Sequence, residues 1–134
     1  MTITRRFKID KLVRDKNKER LLDQQVIAFN RVMEAPEYME RLKDKLLEEA
    51  QEVISAQTTD DYISEFADVL EVIHALAATL NISYEQIEQK RLKIKAEKGC
   101  FEGRIYSSYA EVDAENEKGI EYFLKQPDKY PEIE

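Results

Sequence analysis

Two pairs of carboxylates, each pair spaced by three residues, are the side chains in this sequence best placed to do chemistry. Glu49 and Glu52 form the first pair, and Glu65 and Asp68 form the second. On a helix, residues three apart are neighbours on one face, so the members of each pair would repel each other by about 0.2–0.5 kcal/mol. A divalent cation would remove this cost. Four convergent oxygen ligands suit a hard cation, so the pattern indicates a site for Mg²⁺, with Mn²⁺ as the alternative, rather than for zinc.

The composition leaves few other ways to bind a metal. The 134 residues include one His and one Cys, which excludes a multi-histidine site, a cysteine zinc site and an intramolecular disulfide. The formal net charge is −7, so we expect no nucleic-acid partner and no anionic membrane partner. The sequence has no apolar run of membrane-spanning length and no apolar core of a signal peptide near its first residue. These features together predict a cytoplasmic protein.

The two carboxylate pairs fall on two predicted helices that follow one another along the chain. Pro36 suits the first turn of a helix predicted over residues 37–56, because its missing N–H needs no partner there. Four residues at 58–61 favour an N-cap and precede a second helix, which is predicted to run to about Leu80. Asn81 can take the left-handed conformation that ends a helix. Both pairs should therefore lie beside the seam where the two helices meet.

Glu65 is the least ordinary of the four carboxylates, because it falls inside the apolar face of the second helix. Its neighbours on that face are Val69 and Val72. Burying an unpaired carboxylate is unfavourable, so Glu65 needs either a bound cation or a nearby Lys or Arg. On a helical wheel of the first helix, at about 100° per residue, Glu48 lies further from the apolar face, towards water.

The rest of the chain completes an all-α prediction with one short β element. A further helix is expected over residues 115–126. Residues 26–33 and 104–109 are candidate strands that could pair as a short β-hairpin. We expect one domain over residues 1–134, a helical bundle. The second helix is apolar over more than half of its circumference, so the bundle is expected to be a homodimer.

The order and spacing of the acidic residues resemble a known signature. Residues 48–52 read EEAQE and residues 65–68 read EFAD. Together they match the E-x-x-E, spacer, E-x-x-D pattern of the all-α nucleoside triphosphate pyrophosphatases, which include the MazG-like proteins. The register is unambiguous, because a start at Glu48 would put Gln51 in the second ligand position.

Two flanking segments narrow the resemblance to the phosphoribosyl-ATP pyrophosphohydrolase-like MazG relatives. Residues 11–16 read KLVRDK and residues 98–101 read KGCF, and both look like segments of these relatives. The usual Ile-Pro after the first segment is Asn17-Lys18 here, which is a departure from the pattern. The resemblance covers about residues 8–106, and residues from about 107 to 134 are expected to be a carboxy-terminal extension outside it.

The resemblance implies a Mg²⁺-dependent enzyme that cleaves nucleoside triphosphates between the α- and β-phosphates. The products would be a nucleoside monophosphate and pyrophosphate, and the substrates could be non-standard nucleotides. By the same resemblance, the metal ligands would be Glu49, Glu52, Glu65 and Asp68. Bound metal lowers the pKa of a water molecule and neutralises phosphate charge. The catalytic candidates are Glu49 and its neighbour Glu48, which could act as a base or support the site.

An acidic site that binds an acidic substrate also needs cations. A third helix is predicted from a capping box at Ser83 and Gln86 to the residue before Gly99. One face of this helix alternates basic residues with isoleucine, and the opening segment is also basic. The candidates for binding phosphate are Arg91, Lys95, Lys98, Lys11 and Arg14. The alternatives are that the third-helix residues extend their charged ends to water, and that Arg14 pairs with Asp15.

Two other functions remain open at this point. One is phosphoribosyl-ATP hydrolysis, which we rank second because the KLVRDK segment is typical of a related but separate branch. The other is a non-catalytic helical dimerisation module whose acidic residues only keep it in solution. Pyrophosphate release from a panel of nucleotides distinguishes these functions.

Overall fold

The computed structural model describes residues 3–134 and contains five α-helices. In chain order they are α1 (Asn17–Asp23), α2 (Ala35–Ser55), α3 (Thr59–Thr79), α4 (Tyr84–Lys98) and α5 (Glu117–Leu124). The rest of this range forms turns and irregular segments, which confirms the all-α prediction. Among the described residues, every helix is too short or too polar to cross a membrane.

The α2–α3 hairpin is the centre of the fold. The two helices have 21 residues each, and only residues 56–58 connect them. They pack against each other more extensively than any other pair of helices in the described chain. Leu42 of α2 and Val72 and Ala77 of α3 are buried. The hairpin therefore sets the carboxylates of α2 beside those of α3.

Local capping interactions set the ends of these helices. The Thr58 hydroxyl accepts a hydrogen bond from the Asp61 N–H at 3.1 Å, and Asp61 accepts one from the Thr58 N–H at 3.4 Å. This reciprocal pair is a capping box at the start of α3. At the other end of α3, Asn81 has a φ of +56° and the Ile82 N–H donates to the Ala77 carbonyl at 2.9 Å. The helix ends predicted from these residues are confirmed to within about two residues.

The chain falls into two compact units, of which the first ends at Ile94 and the second spans Lys95–Glu134. In the first unit, the His74 ring of α3 stacks on Tyr84 of α4 with 4.6 Å between ring centroids. In the second unit, the Asn116 side chain accepts a hydrogen bond from the Gly119 N–H at 3.0 Å and caps α5. The second unit lies largely in the range expected to be a carboxy-terminal extension.

The expected β-hairpin does not form within residues 3–134. Residues 26–33 and 104–109 are both irregular, so neither segment forms the strand that was expected there. Although Ala28 is buried, Phe29 is 94% exposed and Ile105 is 90% exposed, so these large side chains lack the burial that stabilises a strand. The prediction of short strands was therefore wrong.

Helix α1 was not predicted from the sequence. It begins at Asn17, directly after the KLVRDK segment, and it has no side-chain cap. Seven residues are too few to show a helical period, although Glu19 in the first turn and Arg20 in the last turn match the helix dipole.

Much of the apolar face of the α2–α3 hairpin is uncovered. Leu47 and Ile54 of α2 are 71% and 73% exposed, and Phe66 and Leu70 of α3 are 53% and 44% exposed. Clusters of exposed large apolar side chains on helix faces are typical of protein–protein contacts.

Candidate functional site

Three carboxylates converge where α2 packs against α3. Glu49 comes from α2, and Glu65 and Asp68 come from successive turns of α3. One oxygen from each of the three lies within 4.8 Å of the other two. We refer to these three residues as the acidic cluster. The helical spacing brings Glu65 and Asp68 onto one face, and the hairpin brings Glu49 opposite them.

Glu52, the fourth predicted ligand, lies beside the acidic cluster rather than within it. Its side chain is exposed, one turn of α2 beyond Glu49. Its negative charge nevertheless contributes to raising the pKa of both Glu49 and Glu65. The structure therefore brings three of the four predicted residues together and leaves the fourth at the margin.

Glu49 is the least exposed member of the acidic cluster, with 12% of its side chain accessible. Burial raises the pKa of Glu49 first, and the charge of Asp68 raises it further. Lys45, one turn earlier on α2, lies 3.7 Å from the Glu49 carboxylate and acts in the opposite direction. Sequence reasoning gave Lys45 no role, although its spacing of four residues from Glu49 was a usable signal.

Glu65 lies among negative charges only. Partial burial raises the pKa of Glu65, and the charges of Asp68, Glu52 and Glu49 raise it further, in that order. Within residues 3–134, no Lys or Arg nitrogen lies within ion-pair distance of the Glu65 carboxylate. The Lys or Arg partner considered as an alternative from the sequence is therefore not found in the described chain.

The acidic cluster fits a hard divalent cation. Around Mg²⁺, with bonds of about 2.1 Å, ligand oxygens lie about 3 to 4 Å apart. The 4.8 Å spread of the cluster is slightly wider than this, and small side-chain rotations would close the difference. A cation here would also neutralise the charges that raise the pKa of Glu49 and Glu65.

Glu48 points to a different set of partners. Lys11 donates a hydrogen bond to Glu48 at 3.0 Å, and Lys45 lies 3.4 Å from its second oxygen. The hydrogen bond from Lys11 holds the pKa of Glu48 below its ordinary value, and that of Lys11 above. A carboxylate with a lowered pKa is a weaker general base, so these contacts favour a supporting role for Glu48.

Arg14 contacts the acidic cluster directly. Its guanidinium donates a hydrogen bond to the Asp68 carboxylate at 2.8 Å. The alternative pair between Arg14 and Asp15 is not formed, since Asp15 is not among the ion pairs of residues 3–134. The irregular segment 11–14 therefore contacts α2 through Lys11 and α3 through Arg14.

The basic residues of α4 have other surroundings. Arg91 donates to Glu88 on its own helix, with its Nε atom 2.9 Å from the carboxylate. Lys95 and Lys98 are exposed and belong to the second compact unit. The structure supplies no contact between Arg91 and the acidic cluster.

An open cavity adjoins the amino-terminal segment. It has a volume of about 740 Å³ and lies between residues 9–17, residues 29–33 and the start of α2. Lys11 lines this cavity and also donates a hydrogen bond to Glu48, which precedes Glu49 on α2. Phe29 and Asn30 also line the cavity. Its volume falls within the range of small-molecule sites.

A helical hairpin that presents carboxylates from both helices is the arrangement expected for the all-α nucleotide pyrophosphatases. The profile of the family described as phosphoribosyl-ATP pyrophosphohydrolase matches residues 16–92, which is more than half of the chain. The chain therefore belongs to this family, within the all-α MazG-like superfamily, and the resemblance seen in the sequence is confirmed. Searches of curated proteins and of solved structures returned no match.

The family membership supports a pyrophosphohydrolase. The matched range includes all of α2 and α3 and therefore the whole acidic cluster. It begins after Lys11 and Arg14, so the two cations that contact the site carboxylates from the amino-terminal segment lie outside the matched range.

Proposed function

We propose that this protein is a Mg²⁺-dependent nucleoside triphosphate pyrophosphohydrolase, with Mn²⁺ as the alternative metal. It cleaves the α–β phosphate bond and releases a nucleoside monophosphate and pyrophosphate. The observation that carries this proposal is the convergence of Glu49, Glu65 and Asp68 on two packed helices of a chain in this family.

The acidic cluster holds the metal in this proposal. A bound divalent cation supplies charge neutralisation for the phosphates and a water of lowered pKa. Glu49, Glu65 and Asp68 are its ligands, and Glu52, whose charge contributes to raising the pKa of Glu49 and Glu65, is the fourth candidate ligand. Glu48 acts in support, because its hydrogen bond to Lys11 holds a cation at the edge of the cluster.

Cations of the amino-terminal segment bind the phosphates. Lys11 and Arg14 already lie against the carboxylates of the site, at 3.0 Å from Glu48 and 2.8 Å from Asp68. On α4, Arg91 remains a candidate for phosphate contacts. The ion pair of Arg91 with Glu88 must open before its guanidinium can bind phosphate.

The nucleoside part of the substrate has a suitable place in the 740 Å³ cavity. The exposed Phe29 ring offers a surface for stacking a base, and the Asn30 amide offers both a donor and an acceptor. Replacing Asn30 by Ala should raise KM for the preferred nucleotide and leave kcat little changed. An unchanged KM would contradict binding of the nucleoside in this cavity.

Phosphoribosyl-ATP is the second candidate substrate, because the matching family carries that description. Both candidates are triphosphates from which pyrophosphate is released, so the acidic cluster does not distinguish them. The distinction lies in the nucleoside part.

The test is pyrophosphate release from a panel of standard and modified nucleoside triphosphates and phosphoribosyl-ATP, with Mg²⁺, with Mn²⁺ and with EDTA. We expect release from a nucleoside triphosphate that EDTA abolishes. Preference for phosphoribosyl-ATP would select the second candidate. The absence of release from every nucleotide, with no metal-induced change in Tm, would indicate the non-catalytic dimerisation module.

A pair of variants on α3 tests whether activity depends on the acidic cluster or only on the overall negative charge of the chain. Glu65→Gln keeps the shape of the side chain but removes the charge, and activity should fall by at least about a hundredfold. Glu71→Gln makes the same change at an exposed position outside the cluster and should leave activity unchanged. Equal effects of the two variants would contradict the ligand role of Glu65.

We also infer that the protein functions as a homodimer. The exposed apolar side chains of the hairpin, Leu47, Ile54, Phe66 and Leu70, support a second copy of the chain as their partner. Sedimentation at micromolar concentration should give twice the 15.8 kDa mass of one chain. A stable monomer would contradict this inference.

A further inference from the structure

Asp68 is the member of the acidic cluster that already has a cationic partner from a distant part of the chain. The Arg14 guanidinium lies 2.8 Å from one Asp68 oxygen, across 54 residues of sequence. In this position it neutralises a carboxylate that would otherwise face Glu49 and Glu65 unpaired. Arg14 therefore offsets the negative charge of one carboxylate of the acidic cluster.

The Arg14–Asp68 pair is accessible enough to exchange. The Arg14 side chain is 59% exposed and that of Asp68 is 38% exposed. Exposed ion pairs of this kind contribute little net free energy, because water competes for both partners. Separating them therefore has a small cost.

Lys11 makes a second contact of the same segment that does not involve the acidic cluster. It pairs with Glu48, which lies outside the three converging carboxylates. As long as the Lys11–Glu48 pair is formed, the segment stays beside α2 when Arg14 leaves Asp68. Arg14 therefore stays near the site after its own pair has opened.

We propose that Arg14 is an exchangeable counter-ion of the site. It neutralises Asp68 in the metal-free protein, leaves Asp68 when a divalent cation takes that carboxylate, and then binds the substrate phosphates. The guanidinium suits both partners, because its planar donors fit carboxylate and phosphate equally well. This inference rests on the proposed function and adds the order in which Arg14 binds two anions, first the Asp68 carboxylate and then the substrate phosphates.

The exchange predicts that Arg14 competes with metal for Asp68. Binding of Mn²⁺ and of Mg²⁺ without nucleotide is measured by isothermal titration calorimetry for the wild type and for Arg14→Met. We expect Arg14→Met to bind metal about two- to fivefold more tightly, the range expected for loss of one competing exposed ion pair. Its KM for the nucleotide should rise, because the phosphates lose a donor.

Arg31→Met is the matched control for this measurement. Arg31 forms an ion pair with Glu37 at 2.6 Å, away from the acidic cluster, and its loss changes the net charge by the same amount. Its metal affinity should equal that of the wild type. Arg14→Lys keeps the charge and should restore most of the wild-type metal affinity, but not the KM.

A second measurement uses the unmodified protein and does not depend on the folding of any variant. The Arg14 Nε–H signal in a nitrogen-15 NMR spectrum should shift on addition of Mg²⁺, and the Arg31 signal should stay in place. Equal metal affinity of wild type and Arg14→Met, or an unmoved Arg14 signal in protein that binds metal, would show that Arg14 only fastens the segment to α3. The proposed function would survive that result. The absence of metal binding in every protein would overturn both.

Discussion

Glu49→Gln tests whether the acidic cluster is arranged for a cation. The substitution keeps the size and hydrogen-bonding shape of the side chain and removes its charge. In EDTA, Glu49 is a partly buried carboxylate beside other carboxylates, and burial and the charge of Asp68 raise its pKa. An ionised group with a raised pKa destabilises the folded state at neutral pH, so its neutralisation should stabilise the metal-free protein.

The size of this gain follows from two opposing contacts. Asp68 lies within 4.8 Å of Glu49, and two charges at that separation in water-like surroundings repel by at most about 1 kcal/mol, because Arg14 offsets part of the Asp68 charge. Lys45 lies 3.7 Å from Glu49, and loss of this pair costs about 0.2–1 kcal/mol. Relief from partial burial adds to the gain. We expect a net stabilisation of up to about 1 kcal/mol, which raises Tm by up to about 4 °C for a chain of this length.

The assay compares melting curves of wild type and Glu49→Gln at one protein concentration, in EDTA and in Mg²⁺. The variant should melt higher in EDTA, lose most of the Mg²⁺-induced rise of the wild type, and be at least about a hundredfold less active. Glu40→Gln is the control, because Glu40 is exposed on the same helix and loses a similar lysine partner, Lys43 at 3.6 Å. A lower Tm in EDTA with an unchanged response to Mg²⁺ would refute the role of Glu49.

Two further predictions concern pH and the start of α3. In EDTA, the stability advantage of Glu49→Gln should shrink as the pH falls from about 7 towards about 4, because the raised pKa lets folded Glu49 take up its proton before the unfolded chain does. Denaturant titrations of both proteins at several pH values check this, and an advantage that grows on acidification would contradict it. Thr58→Ala removes the capping box and should lower stability by about 1 kcal/mol, whereas Thr59→Ala, one residue into the helix, should have a smaller effect. Thermal melting of the two variants gives the comparison, and equal losses would show that the cap contributes nothing.

The helices could be predicted from the sequence because their ends are set by nearby residues. The capping box of Thr58 and Asp61 and the left-handed Asn81 depend on neighbours within four residues. A local pattern is enough to recognise such ends. Residues 26–33 show the limit of this approach, since their β-branched and aromatic character favours a strand only where another strand is present to pair with it.

The acidic cluster was predictable for the same reason, but its cations were not. Helical spacing places Glu65 and Asp68 on one face, and the short connection at 56–58 brings Glu49 opposite them. The partners of Lys11 and Arg14 lie 37 and 54 residues away, and the path of an irregular segment decides which carboxylates they contact. Neither a helical periodicity nor a capping residue in the sequence predicts the path of that segment.

The arrangement of cations around the site leads to a final prediction at Glu65. Lys45 contacts Glu49 and Arg14 contacts Asp68, whereas Glu65 has no such partner among residues 3–134. A positive charge should therefore have its largest effect there. Glu65→Lys places an ammonium group beside the other two carboxylates, and it should substitute for the metal in the electrostatics of the folded state.

Three results should follow from this substitution. Glu65→Lys should melt higher than the wild type in EDTA, its Tm should no longer respond to Mg²⁺, and it should be inactive, since an ammonium group supplies no metal-bound water. Glu71→Lys makes the same change in charge on an exposed part of α3 and should keep both the Mg²⁺ response and the activity. Glu65→Lys could instead melt lower than the wild type in EDTA while Glu71→Lys does not. That result would contradict the prediction, because it would show that a positive charge at residue 65 does not stabilise the acidic cluster.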